Sequence, residues 1–199
     1  MFQISRRTFG ATLLAGAAAT TLPRGAQALD LNSARALIDR AIGEVNSVIN
    51  SGKSEKAMYG DFERIFAKYA DVAAIARSAL GPAARTASAA QMKTFTKTYQ
   101  AYISRKYGRR FREFIGGKIE VVDAKPLKSY FEVISVAHLQ GESPFDLRWH
   151  VSNKSGRDLF FNIIIEGVNM LASEREEIGA MLKQQKGDIN ALIGALASA

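Results

Sequence analysis

Phe145-Asp146-Leu147-Arg148-Trp149-His150-Val151 runs through Asn153-Lys154-Ser155-Gly156 into Leu159-Phe160-Phe161-Asn162-Ile163-Ile164-Ile165. Successive side chains of a strand point to opposite faces, so apolar residues at every second position mark a strand with one covered face. Phe145, Leu147, Trp149 and Val151 follow that rule against Asp146, Arg148 and His150. Leu159, Phe161, Ile163 and Ile165 continue it as a wholly apolar face, and the Asn153 to Gly156 segment has the residue types of a hairpin turn. Upstream, Ile119 with Val121 and Phe131 with Val133 show the same period of two. The expectation is a four-stranded antiparallel meander.

On either side of the meander the period changes to that of a helix. Leu31, Ala34, Leu37, Ile38, Ile42, Val45 and Ile49 form one apolar stripe behind Asp30, a capping residue. After the Ser51-Gly52-Lys53-Ser54 break, Met58, Phe62, Ile65, Phe66 and Tyr69 form a second stripe. Asp71 opens a short helix that Gly81-Pro82 stops. Ser88 and Gln91 have the spacing of a capping box for a long helix carrying Met92, Phe95, Tyr99, Tyr102, Ile103, Phe111 and Phe114 up to Gly116-Gly117. Beyond the strands, Ser173 with Glu176 and then Asp188 are expected to open two more helices. Helices, then strands, then helices predict an α+β domain with helices packed on a curved, mainly antiparallel sheet of about four strands.

The first 28 residues read differently. Ser5-Arg6-Arg7-Thr8-Phe9, the weakly apolar run from Gly10 to Leu22, and Ala26-Gln27-Ala28 are the parts of a cleavable bacterial export signal, and the paired arginines specify the twin-arginine route. Gly10 to Leu22 is too short to span a bilayer core of about 30 Å. Cleavage after Ala28 leaves residues 29–199 as a single periplasmic domain.

The chain has 27 basic and 19 acidic residues for a net charge of +8, and three of the positive charges, Arg6, Arg7 and Arg24, lie in the leader. Arg105, Lys106, Arg109, Arg110, Arg112 and Lys118 form a basic set suited to anionic lipid headgroups or a membrane complex. Nucleic acid is disfavoured by the compartment. With no cysteine, disulfides, thiol catalysis and thiolate metal sites are excluded. The only histidines are His138 and His150, which on neighbouring strands offer a possible acid and base or two metal ligands. No nucleophile elbow, phosphate loop or dinucleotide fingerprint accompanies them. The apolar stripes suit a filled core or an interior open to a ligand equally well.

Three blocks carry a family resemblance: Phe66-Ala67-Lys68-Tyr69-Ala70-Asp71-Val72 with Ile75-Ala76-Arg77 and Leu80-Gly81; Phe95 to Tyr107; and Ile165-Glu166-Gly167-Val168-Asn169-Met170 followed by Arg175. Together they resemble the MlaC family, the periplasmic phospholipid-binding component of the Mla intermembrane lipid transport system, also known as toluene-tolerance or organic-solvent-resistance proteins. The chain departs from the family pattern at Asp158, where a tryptophan is common, at Asn162, where aspartate is common, and at Ala84-Arg85 in place of an aromatic-basic pair.

The resemblance implies a monomeric, non-enzymatic carrier without a cofactor, its helices and curved sheet enclosing phospholipid tails while the headgroup faces solvent. It implies as partners an inner-membrane ABC transporter complex and an outer-membrane lipoprotein-porin complex, the shuttle maintaining outer-membrane lipid asymmetry. Phe66, Phe95, Tyr99, Tyr102, Val133, Trp149, Phe161, Ile163, Ile165 and Val168 are the tail-lining candidates, and Tyr102 and Tyr107 are candidates for hydroxyls at the pocket mouth. Gly167 is expected to serve the bend from strand to helix. The alternatives are a periplasmic hydrolase or metal enzyme using His138 and His150, and an interaction module with a filled core.

Overall fold

A computed structural model describes residues 29–109 and 114–199, so the expected export signal, with Arg110, Phe111 and Arg112, lies outside the described residues. Four helices come first: α1 (Leu31–Ile49), α2 (Glu55–Tyr69), α3 (Val72–Leu80) and α4 (Ala89–Gly108), with one 3-10 turn at Gly81–Arg85 between the last two. Strands β1 (Lys118–Leu127), β2 (Tyr130–His138), β3 (Phe145–Ser152), β4 (Leu159–Ile165) and β5 (Val168–Asn169) follow, then α5 (Met170–Gln184) and α6 (Ile189–Ser198). The strands form one antiparallel sheet in the order β1-β2-β3-β4-β5.

Capping chemistry sets most helix starts. Asp30 and Ser33 exchange bonds in a capping box, as do Ser88 and Gln91, while Asp71 and Asp188 accept from backbone N–H groups of the turns they open. Two expected limits differ. The α5 cap is Asn169, whose side chain accepts from the Ala172 N–H, so the helix begins ahead of Ser173. Ser173 instead donates back to the Asn169 carbonyl. Helix α4 ends at Gly108, and Phe114 stands in a turn beyond it. A Cβ at Gly108 would meet the Tyr59 ring at 2.8 Å, so this end of α4 approaches α2 closely.

The fifth strand is short and has a clear local cause. Glu166 and Gly167 both have left-handed backbone, φ 48° and 81°, the signature of a two-residue hairpin turn whose twist matches antiparallel strands. The chain therefore folds back, pairing Val168 with Ile165 and Asn169 with Ile164, before α5 begins. Gly167 serves this hairpin and not a direct bend into the helix.

A second local feature changes which residues face inward. The register pairs Trp149 with Ile163 and His150 with Asn162, then slips by one, so Val151 pairs with Phe160. A bulge adds one residue to one strand and inverts the alternation beyond it. Ile163, Ile165 and Phe160 thus share the inward face, and Phe161 does not.

The helical layer packs on that inward face. Val133, Ala137, Leu147, Val151 and Phe160 join Phe95, Tyr99, Tyr102, Ile38, Ile178 and Leu192 in one buried core. A smaller cluster of Ile49, Met58 and Phe62 fills the space between the end of α1 and α2. Beside the free edge of β4, Ala70 forms a parallel bridge with Phe160, and the Asp71 N–H donates to the Phe160 carbonyl at 2.8 Å.

Candidate functional site

The inward sheet surface has two parts. Val133, Ser135 and Ala137 are completely buried. Phe145, Trp149, Ile163 and Ile165 pack against the same core but keep part of their surface accessible, as do Phe66, Tyr107 and Leu171 from the helices. They form a half-buried apolar seam along the β3–β4 side of the interior.

Trp149 is central to it. Its indole N–H donates to Ser135 Oγ at 2.8 Å, and its ring meets the Phe160 ring edge-on at 5.3 Å. Phe160 in turn lies 6.2 Å from Phe66 on α2. Ser135 and Phe160 are site residues that strand alternation alone does not select: Ser135 is polar, and Phe160 enters the interior only because of the bulge.

Across the interior, Phe95, Tyr99 and Tyr102 lie on one buried face of α4, with ring centres 5.6 and 6.5 Å apart in sequence. Two further expected lining residues lie elsewhere. Phe161 stands on the opposite sheet face, its ring 5.4 Å from Tyr130 and 5.7 Å from His150. Val168, on the β5 hairpin, is 53% exposed.

A polar cluster closes the space between α4 and α5. Tyr107 donates to Glu174 and Tyr102 to Glu177, while the Lys106 ammonium contacts both carboxylates, 2.7 Å from Glu174 Oε1. The two glutamates are three residues apart and therefore share one face of α5. Burial opposes the Lys106 charge, but its bonds to both carboxylates outweigh that and hold its pKa above the ordinary lysine value. Burial likewise opposes the Glu177 charge, and bonds from Lys106 and Tyr102 still hold its pKa below the ordinary carboxylate value. Burial, followed by the bond to Glu177, raises the Tyr102 phenol. This cluster was not legible from composition because Lys106 counted as part of a basic surface set.

The same geometry redistributes that set. Arg105 donates to the Leu196 carbonyl at the end of α6, Lys106 is held by the glutamates, and Lys118 pairs with Glu120. Lys106 and Lys118 are thus paired with carboxylates of the same chain.

The histidines are not brought together. His138, at the end of β2 that pairs with Lys118, is about half exposed, with Nε2 3.9 Å from Glu120 Oε2. His150 is buried opposite Glu132, near the other end of β2, with Nε2 3.6 Å from Glu132 Oε2 and Nδ1 3.4 Å from Asn162 Nδ2. Burial depresses the His150 pKa against the pull of Glu132. Among the described residues no three histidine, aspartate or glutamate side chains form a group able to hold a metal.

Residues 39–198 match the model of the MlaC protein family. A solved structure of a phospholipid-binding protein from Ralstonia solanacearum, in complex with a phospholipid, matches with a TM-score of 0.71 at 16% identity, over 83% of this chain and 95% of that one. At that identity the likeness is one of fold. With the family match extending from within α1 to the end of α6, the chain belongs to the MlaC family.

Proposed function

We propose that this protein is a periplasmic phospholipid carrier, which holds acyl tails between the inward sheet face and α4 and leaves the headgroup at the surface. The half-buried apolar seam along Trp149, Ile163 and Ile165 is the observation that carries this reading. Membership of the MlaC family and the phospholipid complex of the Ralstonia solanacearum neighbour support it. No helix among the described residues is long and apolar enough to cross a membrane.

The energetic case for such a carrier is simple. At about 0.8 kcal/mol per methylene, a sixteen-carbon tail in water costs about 13 kcal/mol, so unassisted transfer between membranes is negligible. A site built from Phe66, Phe95, Trp149, Phe160, Ile163 and Ile165 removes that cost without chemistry and without a cofactor. In this reading the protein exchanges lipid with an outer-membrane lipoprotein-porin complex and an inner-membrane ABC transporter, is exported by the twin-arginine route, and maintains outer-membrane lipid asymmetry.

Native mass spectrometry of protein purified without detergent, with solvent extraction of the adducts, tests it. Adducts that resolve into diacyl phospholipids support the carrier. A clean mass that stays unchanged after incubation with phospholipid vesicles refutes it and favours a filled interaction module. The separation of His138 from His150 leaves a hydrolase using both without a shared site.

A further inference from the structure

Tyr99 lies in the middle of α4 with no exposed surface, and its ring stacks on Phe95. Its hydroxyl has no hydrogen-bond partner among the described residues. That is uncommon, because a buried phenol O–H nearly always finds an acceptor and leaving it unpaired costs more than a made bond contributes. Its two neighbours on α4 differ: Tyr102 donates to Glu177 and Tyr107 to Glu174. Glu174 Oε2 is also unpartnered, yet it and the Tyr99 hydroxyl do not bond each other. The Tyr99 hydroxyl is therefore a buried donor without a bond, set between the aromatic face of α4 and the Glu174 and Glu177 carboxylates, whose charges act on it.

The chemistry of that position restricts what fills it. A phosphate calls for positive charge, and Lys106, on the same helix, is already held by two carboxylates. In a glycerophospholipid the polar groups attached directly to the tails are the acyl-ester carbonyls, which accept and cannot donate. A carbonyl carried into an apolar interior without a donor is as costly as the unpaired phenol, and pairing the two removes both penalties. Resting on the carrier reading above, we propose that Tyr99 Oη donates to an acyl-ester carbonyl of the bound phospholipid, so that the interior selects ester-linked over ether-linked lipids.

The test is a competition. Delipidated protein is incubated with an equimolar mixture of dipalmitoyl phosphatidylglycerol and its dihexadecyl ether analogue, and native mass spectrometry reads the bound ratio. The expected result is an ester preference of about five-fold, the size of one neutral hydrogen bond. Tyr99→Phe should bring the ratio to about one and raise the melting temperature of the delipidated protein, since no hydroxyl remains unpaired. Equal uptake of the two lipids by the unaltered protein overturns the proposal and leaves the carrier reading standing, whereas uptake of neither overturns both. A preference that persists in Tyr99→Phe, or a lower melting temperature of its delipidated form, assigns the hydroxyl a partner inside the protein and also overturns the proposal. The unaltered protein's ratio decides the matter even if the variant does not fold.

Discussion

Lys106 on α4 and Glu174 on α5 face each other with Nζ 2.7 Å from Oε1, and the carboxylate they share with Tyr107 is almost entirely shielded from solvent. This contact ties α4 to α5. Removing the cation leaves a buried carboxylate with one phenol. Lys106→Met should therefore destabilise the protein by about 2–4 kcal/mol, while the double change Lys106→Met with Glu174→Met should recover much of the loss because the shielded carboxylate is gone and the remaining one, Glu177, reaches solvent. Urea unfolding of the four members of the cycle measures it, and equal losses in the single and double variants would refute the coupling.

The outward sheet face carries a pH dependence of definite sign. His150 faces Glu132, Asn162, Tyr130 and Phe161, with Lys125 bonded to the far side of Glu132. Its folded-state pKa is lowered, so the native protein binds this proton less readily than the unfolded chain. Above about pH 6.5 neither state is protonated and the full contribution is present; as pH falls below that value the unfolded state charges first and stability declines until the folded pKa is passed. Urea midpoints between pH 7.5 and 5.5 should fall in the parent protein and fall less in His150→Gln.

The Trp149 indole gives a local test of the inward face. Ser135 accepts its N–H, so Ser135→Ala leaves a shielded donor unpaired and should cost about 1–2 kcal/mol. Because Trp149 is the only tryptophan, its fluorescence follows both unfolding and lipid loading without interference. An unchanged urea midpoint in Ser135→Ala would show that this bond contributes nothing.

Two glycines should respond in opposite directions. A Cβ at Gly117 would lie 2.7 Å from the His138 carbonyl oxygen and 3.1 Å from that of Phe114, backbone atoms with little room to retreat. Gly117→Ala should cost about 1–3 kcal/mol. Gly179 lies inside α5 with nothing within 4 Å, so Gly179→Ala should stabilise by roughly 0.5–1 kcal/mol. Melting temperatures of the two variants, moving down and up respectively, check this.

Charge placed in the seam should separate binding from folding. Ile163 is half-buried on the inward face, so Ile163→Asp should reduce phospholipid loading at least ten-fold if two methylenes' worth of contact is lost, at about 0.8 kcal/mol each. Loading is read by native mass spectrometry and folding by circular dichroism. Undiminished loading in a folded variant would place the tails elsewhere.

By itself the sequence determined the element types and their order, because helix periodicity, strand alternation and capping are local properties. Asp30, Asp71, Ser88 and Asp188 start the helices expected of them, and the four long strands stand where the period changes to two. It also put Phe95 and Tyr99 on one helical stripe and Trp149, Ile163 and Ile165 at apolar positions of alternating strands, and the structure turns all five toward one core. Tertiary structure decided the rest. The strand Val168–Asn169 is too short to display a period, and beyond the local Glu166-Gly167 turn it is only its pairing with β4 that makes it a strand. The bulge at His150 and Val151 sends Phe160 inward and Phe161 outward, a register effect that depends on the partner strand and is invisible within β4 alone. Lys106 reads as a surface cation until α5 brings Glu174 and Glu177 to it from nearly seventy residues away. Which groups end up paired, and which hydroxyl is left free, depends on contacts between segments distant in the chain, and those form only when the layers pack.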